Sequence, residues 1–170
     1  MSAAIAEAYA AAPVDGVIYH TLELWHPAFA APIRVVRDEV ALDARLEAGA
    51  PRNAGEVVTF VAYAFDIVPP DQNAEGLPQA VIEIDNVSRE ILVQLDAAVA
   101  SGQPVTAIYR QYLSDALLDG PEYDPPMELA IQSLSATALR IRATCGFPNL
   151  IGLRFPRLEF DIESYPGLQP

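Results

Sequence analysis

A chain of 170 residues with an apolar fraction of 52 % falls within the size of one domain and can fill a core without disulfides or metal. Ten basic residues, all of them Arg, against 23 acidic ones give a formal charge of −13. A field of that sign repels phosphate backbones and anionic membrane surfaces, so nucleic acid is excluded and proteins are the expected partners.

Residues 3–12 are rich in Ala, with Ile5 and Tyr9 four apart, and predict a short N-terminal helix stopped by Pro13 and Gly16. From Val17 to Trp25 the period becomes two: Ile18, His20, Leu22 and Leu24 share one face, Tyr19, Thr21, Glu23 and Trp25 the other. Ile33 to Arg37 forms a second strand, paired with the first as a hairpin across residues 26–31. Residues 38–55 fit a strand or a weak helix equally. Glu56 to Val68 is the strongest β signal, with two largely apolar faces expected of one central strand covered on both sides.

Pro69 to Pro78 reads as a solvated loop. Ala80, Ile82 and Ile84 then alternate with Val81, Glu83 and Asp85 along a strand. A helix follows, with Ser88 as N-cap, Glu90 in the first turn, Ile91, Leu92, Leu95 and Val99 as its stripe, and Gly102 as its end. Val105 to Leu113 returns to β, and Ser114 to Pro126 is an acidic loop. Met127 to Leu134 and Ala138 to Cys145 read as neighbouring strands, the second facing Ile141, Ala143 and Cys145 inward and Arg140 and Arg142 outward. Leu158, Phe160 and Ile162 alternate in a last strand. About eight strands around one short helix, without βαβ alternation, predict a mainly β domain over 1–170. Its expected form is an antiparallel β-barrel or sandwich with a helical arm at about 1–13.

The sequence offers little chemistry. His20 and His26 are the only histidines, and six residues of strand set them about 20 Å apart, too far to share a metal ion. Glu83, Asp85 and Asp66 form the best carboxylate group for a glycosidase, which needs two acids roughly 5 to 9.5 Å apart. Only Trp25 is available as an indole platform for a sugar, and no acid is visibly held in an apolar pocket. The loop 115–124 resembles a calcium loop in charge alone, since Leu117 occupies a ligand position. Asn86 heads a glycosylation sequon, but residues 1–7 lack a signal-peptide pattern, so it is expected to be a turn residue. Cys145, the single cysteine, reads as a small buried apolar residue and excludes an internal disulfide or a four-cysteine cluster. No stretch nears about 20 apolar residues, so no membrane anchor is expected. Catalytic, cofactor and metal residues are all expected to be none.

Several segments in order are familiar: Leu22-Glu23-Leu24-Trp25-His26-Pro27-Ala28-Phe29, Pro32-Ile33-Arg34-Val35-Val36-Arg37-Asp38, Thr59 through Asp71, and Ile82 through Glu90, closing on Arg154-Phe155-Pro156 and Tyr165-Pro166-Gly167-Leu168. Together they resemble a phage and prophage tail family catalogued as a domain of unknown function, similar in role to minor proteins of lambda-type tail tips. The resemblance covers nearly the whole chain and includes no catalytic motif. It implies a virion tail protein, made and assembled in the host cytoplasm. Its expected assembly is a ring, hexameric rather than trimeric, between the tail tube and the tail-tip hub proteins. The expected assembly contacts are Pro69 and Asp71 in one loop, Asp115, Asp119, Glu122 and Asp124 in the other, and Arg140 and Arg142 on the sheet. A receptor- or carbohydrate-binding module is the other reading, with Trp25, Tyr109 and Tyr112 as its exposed aromatic cluster; a cell-wall glycosidase is the third.

Overall fold

The computed structural model describes residues 16–68, 79–85, 89–137 and 140–147. The expected N-terminal helix, the Pro69–Pro78 loop with Pro69 and Asp71, Asn86, the Ser88 cap and the strand at 158–162 lie outside these residues.

Nine strands and one helix follow in chain order: β1 Ile18–Trp25, β2 Ile33–Val36, β3 Leu42–Arg45, β4 Val57–Ala62, β5 Phe65–Val68, β6 Gln79–Asp85, α1 Arg89–Ser101, β7 Thr106–Leu113, β8 Met127–Ala136 and β9 Arg140–Gly146. They build one sheet in the order β3-β4-β2-β1-β7-β8-β9-β6-β5. The β1–β2 hairpin forms as expected, with Leu24 opposite Ile33, and β8 pairs with β9. The mainly β expectation holds, but the antiparallel barrel or sandwich does not. The sheet is mixed, because β4 runs parallel to β2, and it is not closed. The end strand β3 is met by the loop after β7 instead of by β5: the Arg45 N–H donates to the Leu117 carbonyl and the Arg45 guanidinium to those of Leu118 and Gly55. The Arg45 N–H on the open side of β3 is thus paired by a loop and not by a closing strand.

The run 56–68 is two strands and not one. Tyr63 and Ala64 interrupt it, so β4 pairs with β2 and β3 while β5 pairs with β6 at the far end of the sheet order. Two residues cannot bridge a flat nine-stranded sheet, so the sheet curls until these positions meet. The interruption also shifts the alternation. Val58 and Phe60 point inward before it and Phe65 after it, which reverses parity. Coverage on both faces does not follow either: Val57 and Val61 are 46 % and 52 % exposed.

The larger core gathers Leu22, Leu24, Val35, Ile82, Ile84 and Ile141 against Leu95 and Ala98 of α1. Gly102, with φ 71°, turns the chain out of that helix in a conformation a side chain would resist. A smaller cluster joins Val36, Leu42, Leu46, Val58, Phe60 and Tyr112 below the loop residue Leu117. Each fully buried Leu or Ile contributes about 1.5–3 kcal/mol, so these clusters outweigh any surface ion pair.

Candidate functional site

Period two places Thr21 and Glu23 of β1 on the same face, and Ile108, Arg110 and Tyr112 on one face of the neighbouring β7. Glu23 and Arg110 are each 1 % exposed. Arg110 Nε and Nη2 donate to the two Glu47 oxygens at 2.8 Å each, and its Nη1 lies 3.5 Å from Glu23 Oε2. Arg34 Nε donates to the same Glu23 oxygen at 2.9 Å, and Arg52 Nη2 to the other at 3.1 Å while its guanidinium lies over the Trp25 ring. Burial alone would raise Glu47, but the Arg110 hydrogen bonds and charge, with a backbone bond, hold it below the usual carboxylate value. Arg110 is raised in turn: burial opposes its charge, and Glu47 and Glu23 overcome that. Both charges are locked, so this cluster supplies cohesion and no acid or base ready to react.

A second group lies on the outward face of β5, β6 and β9. Register sets Asp66 opposite Glu83, and Glu83 opposite Arg142. An open groove of about 730 Å³ runs here, lined by Arg37, Asp66, Glu83, Asp85 and Arg140 among others. The structure therefore brings together the carboxylates that the sequence singled out. Each is held by a cation: Asp66 by Arg37 at 3.2 Å, Asp85 by Arg140 at 2.5 Å, and Glu83 by Arg140 and Arg142 at 3.4 Å each. Donation of hydrogen bonds to Asp85, then the Asp85 and Glu83 charges, raise Arg140. A glycosidase acid needs a desolvated site to keep its proton, and the 63 % exposed Asp66 has none.

The third place is a pocket of about 350 Å³ lined by Tyr109, Gln111, Tyr123, Pro125 and Met127. His20 backs it, stacked on Tyr109 with ring centroids 6.0 Å apart. Gln111 Nε2 donates to the Tyr109 oxygen at 2.9 Å and approaches His20 Nδ1 at 3.3 Å. Nδ1 is then an acceptor, so the Tyr109 hydroxyl donates to it. Burial, reinforced by Arg37 and offset by Asp66, lowers His20 and favours its neutral form.

The remaining expected residues fall as follows. Arg140 and Arg142 face outward as read, each bonded within the chain. Asp115, Asp119, Glu122 and Asp124 lie in the loop after β7, which is tied down by the Arg45 bonds and by the Glu122 N–H donating to the Gln111 carbonyl. The aromatic cluster of Trp25, Tyr109 and Tyr112 does not form. Tyr109 and Tyr112 are three apart on a strand and so face opposite ways, and Tyr112 is fully buried with its hydroxyl donating to the Arg45 carbonyl. His26 is buried: Nδ1 accepts the Ala28 N–H, leaving Nε2–H to donate to Ser101 Oγ at 3.0 Å. Cys145 is fully buried, as expected, and burial pushes its thiol up to about 11. Among the described residues, no three His, Cys, Asp or Glu side chains gather to hold a metal ion, and no helix is long and apolar enough to cross a membrane.

The buried charge network went unread in the sequence. A signal for part of it exists: Arg110 shares an apolar strand face with Ile108 and Tyr112, and Glu23 sits in a strand whose neighbours are apolar. Glu47 lies in irregular chain and carries no periodic signal.

No curated protein matches this chain. Residues 4–160 match a family described as a domain of unknown function (DUF1833). With the match running from the first residues through β9 and beyond, the chain belongs to the DUF1833 family.

Proposed function

We propose that this chain is a structural component of the tail tip of a long-tailed phage or phage-like particle. In this reading it forms a ring, six-fold rather than three-fold, that joins the tail tube to the distal hub, and it works without catalysis or cofactor. It is made in the host cytoplasm and ends in the virion tail. The resemblance of the segments around Trp25, Phe65 and Asp85 to phage tail proteins supplies the biological setting.

The observation that carries the assembly role is the state of the sheet's ends. Among the described residues β5 has β6 as its single strand neighbour, and it ends on Val68, which is 58 % exposed. Val57 and Val61 add an apolar strip on β4. A strand edge that ends on an exposed valine is a template for a second chain. The carboxylates of the buried cluster and of the groove, meanwhile, are held in Arg pairs within the molecule, which supports a non-enzymatic role. Deleting the gene from the phage tests the proposal: particles with incomplete or unstable tail tips are expected, and complete, infectious particles would refute it.

A further inference from the structure

The pocket between β7, the start of β8 and the loop that joins them has a composition of its own. Its lining contains no Arg or Lys; it offers two phenol rings, a thioether and one amide. Acidic residues flank the lining in the chain: Glu122 precedes Tyr123, and Asp124 separates Tyr123 from Pro125. Asp124 is exposed, so its charge reaches the pocket mouth through solvent. His20 behind Tyr109 adds no positive charge in its neutral form. Aromatic faces carry negative quadrupole potential, and flanking carboxylates deepen it, so a cation is the ligand such a pocket favours. A planar guanidinium gains most: it stacks on phenol rings and can donate to the Gln111 carbonyl oxygen. The described arginine side chains are committed elsewhere, because each is already bonded within the fold.

We infer that the Tyr109–Tyr123 pocket, lined also by Gln111 and Met127, receives an arginine side chain of a partner protein. This names the chemistry of a contact and does not rest on the tail-tip reading, since it can be measured on the isolated chain. The probe is the capped peptide acetyl-Gly-Arg-Gly-amide, set against the same peptide with citrulline, its uncharged isostere. Chemical shifts of the Met127 methyl and of the tyrosine rings are followed during titration. The arginine peptide is expected to shift them and saturate, the citrulline peptide to bind at least tenfold more weakly. Affinity should fall as salt rises from low to physiological concentration. Tyr123→Ala is expected to weaken binding about tenfold and Tyr123→Phe to restore it. Arg142→Ala, remote from the pocket, should leave binding unchanged.

Equal binding of the citrulline peptide, indifference to salt, or preference for a neutral methyl pyranoside would overturn the inference. Absence of any shift with the wild-type chain would do the same whether or not the Tyr123 variants fold. Binding of the arginine peptide alongside infectious gene-deleted particles would leave this pocket standing and remove the tail-tip role.

Discussion

Arg110 and Glu47, 63 positions apart in the chain, meet through two parallel hydrogen bonds of 2.8 Å with the arginine side chain wholly out of solvent. Burying such charges is costly, and their geometry repays the cost only while both are present. Glu47→Ala should therefore destabilise the protein by about 3–5 kcal/mol, leaving Arg110 with Glu23 alone. Replacing both, as Glu47→Leu with Arg110→Met, should recover much of that loss. Urea unfolding of the two variants checks it; a double variant as unstable as the sum of its singles would contradict the pairing.

The exposed pairs behave differently. Arg142 lies 3.4 Å from Glu83 with most of its side chain in water. Arg142→Ala should cost less than about 1 kcal/mol, and less still at high salt. The same denaturation series provides the comparison, and a loss approaching that of Glu47→Ala would mean the outward ladder matters more than its exposure allows.

Acid should act in two steps. His20 is held below its ordinary value, so the unfolded chain takes up its proton first as pH falls. That contribution is complete above the unfolded value of about 6.5 and is lost as pH drops toward the depressed folded value. Glu47 is depressed too, and its contribution is complete above about 4.3 and lost below that, down through its folded value. Both shifts make stability rise with pH. Unfolding midpoints measured across the acid range should show the upper step disappear in His20→Asn while the lower one remains.

Cys145 should be inert in the native protein. Its thiol is buried and pushed up to about 11, so little thiolate forms at pH 8. A disulfide reagent should label it only at the rate of unfolding and rapidly in urea; fast labelling of the native chain would contradict its burial.

The outward and inward residues of β6 and β9 were legible because each strand keeps strict alternation with one apolar face. The same rule misjudged residues 56–68, where Tyr63 and Ala64 look like more strand but break the ladder and reverse parity. Propensity sees Val, Thr and Phe and cannot see which neighbour each half will pair with. Closure was misread for a related reason: the Arg45 N–H of β3 pairs with the Leu117 carbonyl of a loop, a contact set by the fold and absent from any pattern. Asp66, Glu83 and Asp85 could be grouped because strand order was guessable, whereas Glu47 reaches Arg110 from irregular chain. Tyr123 and Pro125 joined Tyr109 for the same reason, across a loop that composition marks only as acidic.

Electron microscopy of intact particles, with this chain located and its copies counted, puts the assembly role to the most direct test. A closed ring of six at the tail tip, with the β5 edge and the Val57–Val61 strip at the boundary between chains, is the expected picture. Particles in which the chain is missing, or lies as isolated copies away from the tip, would contradict it.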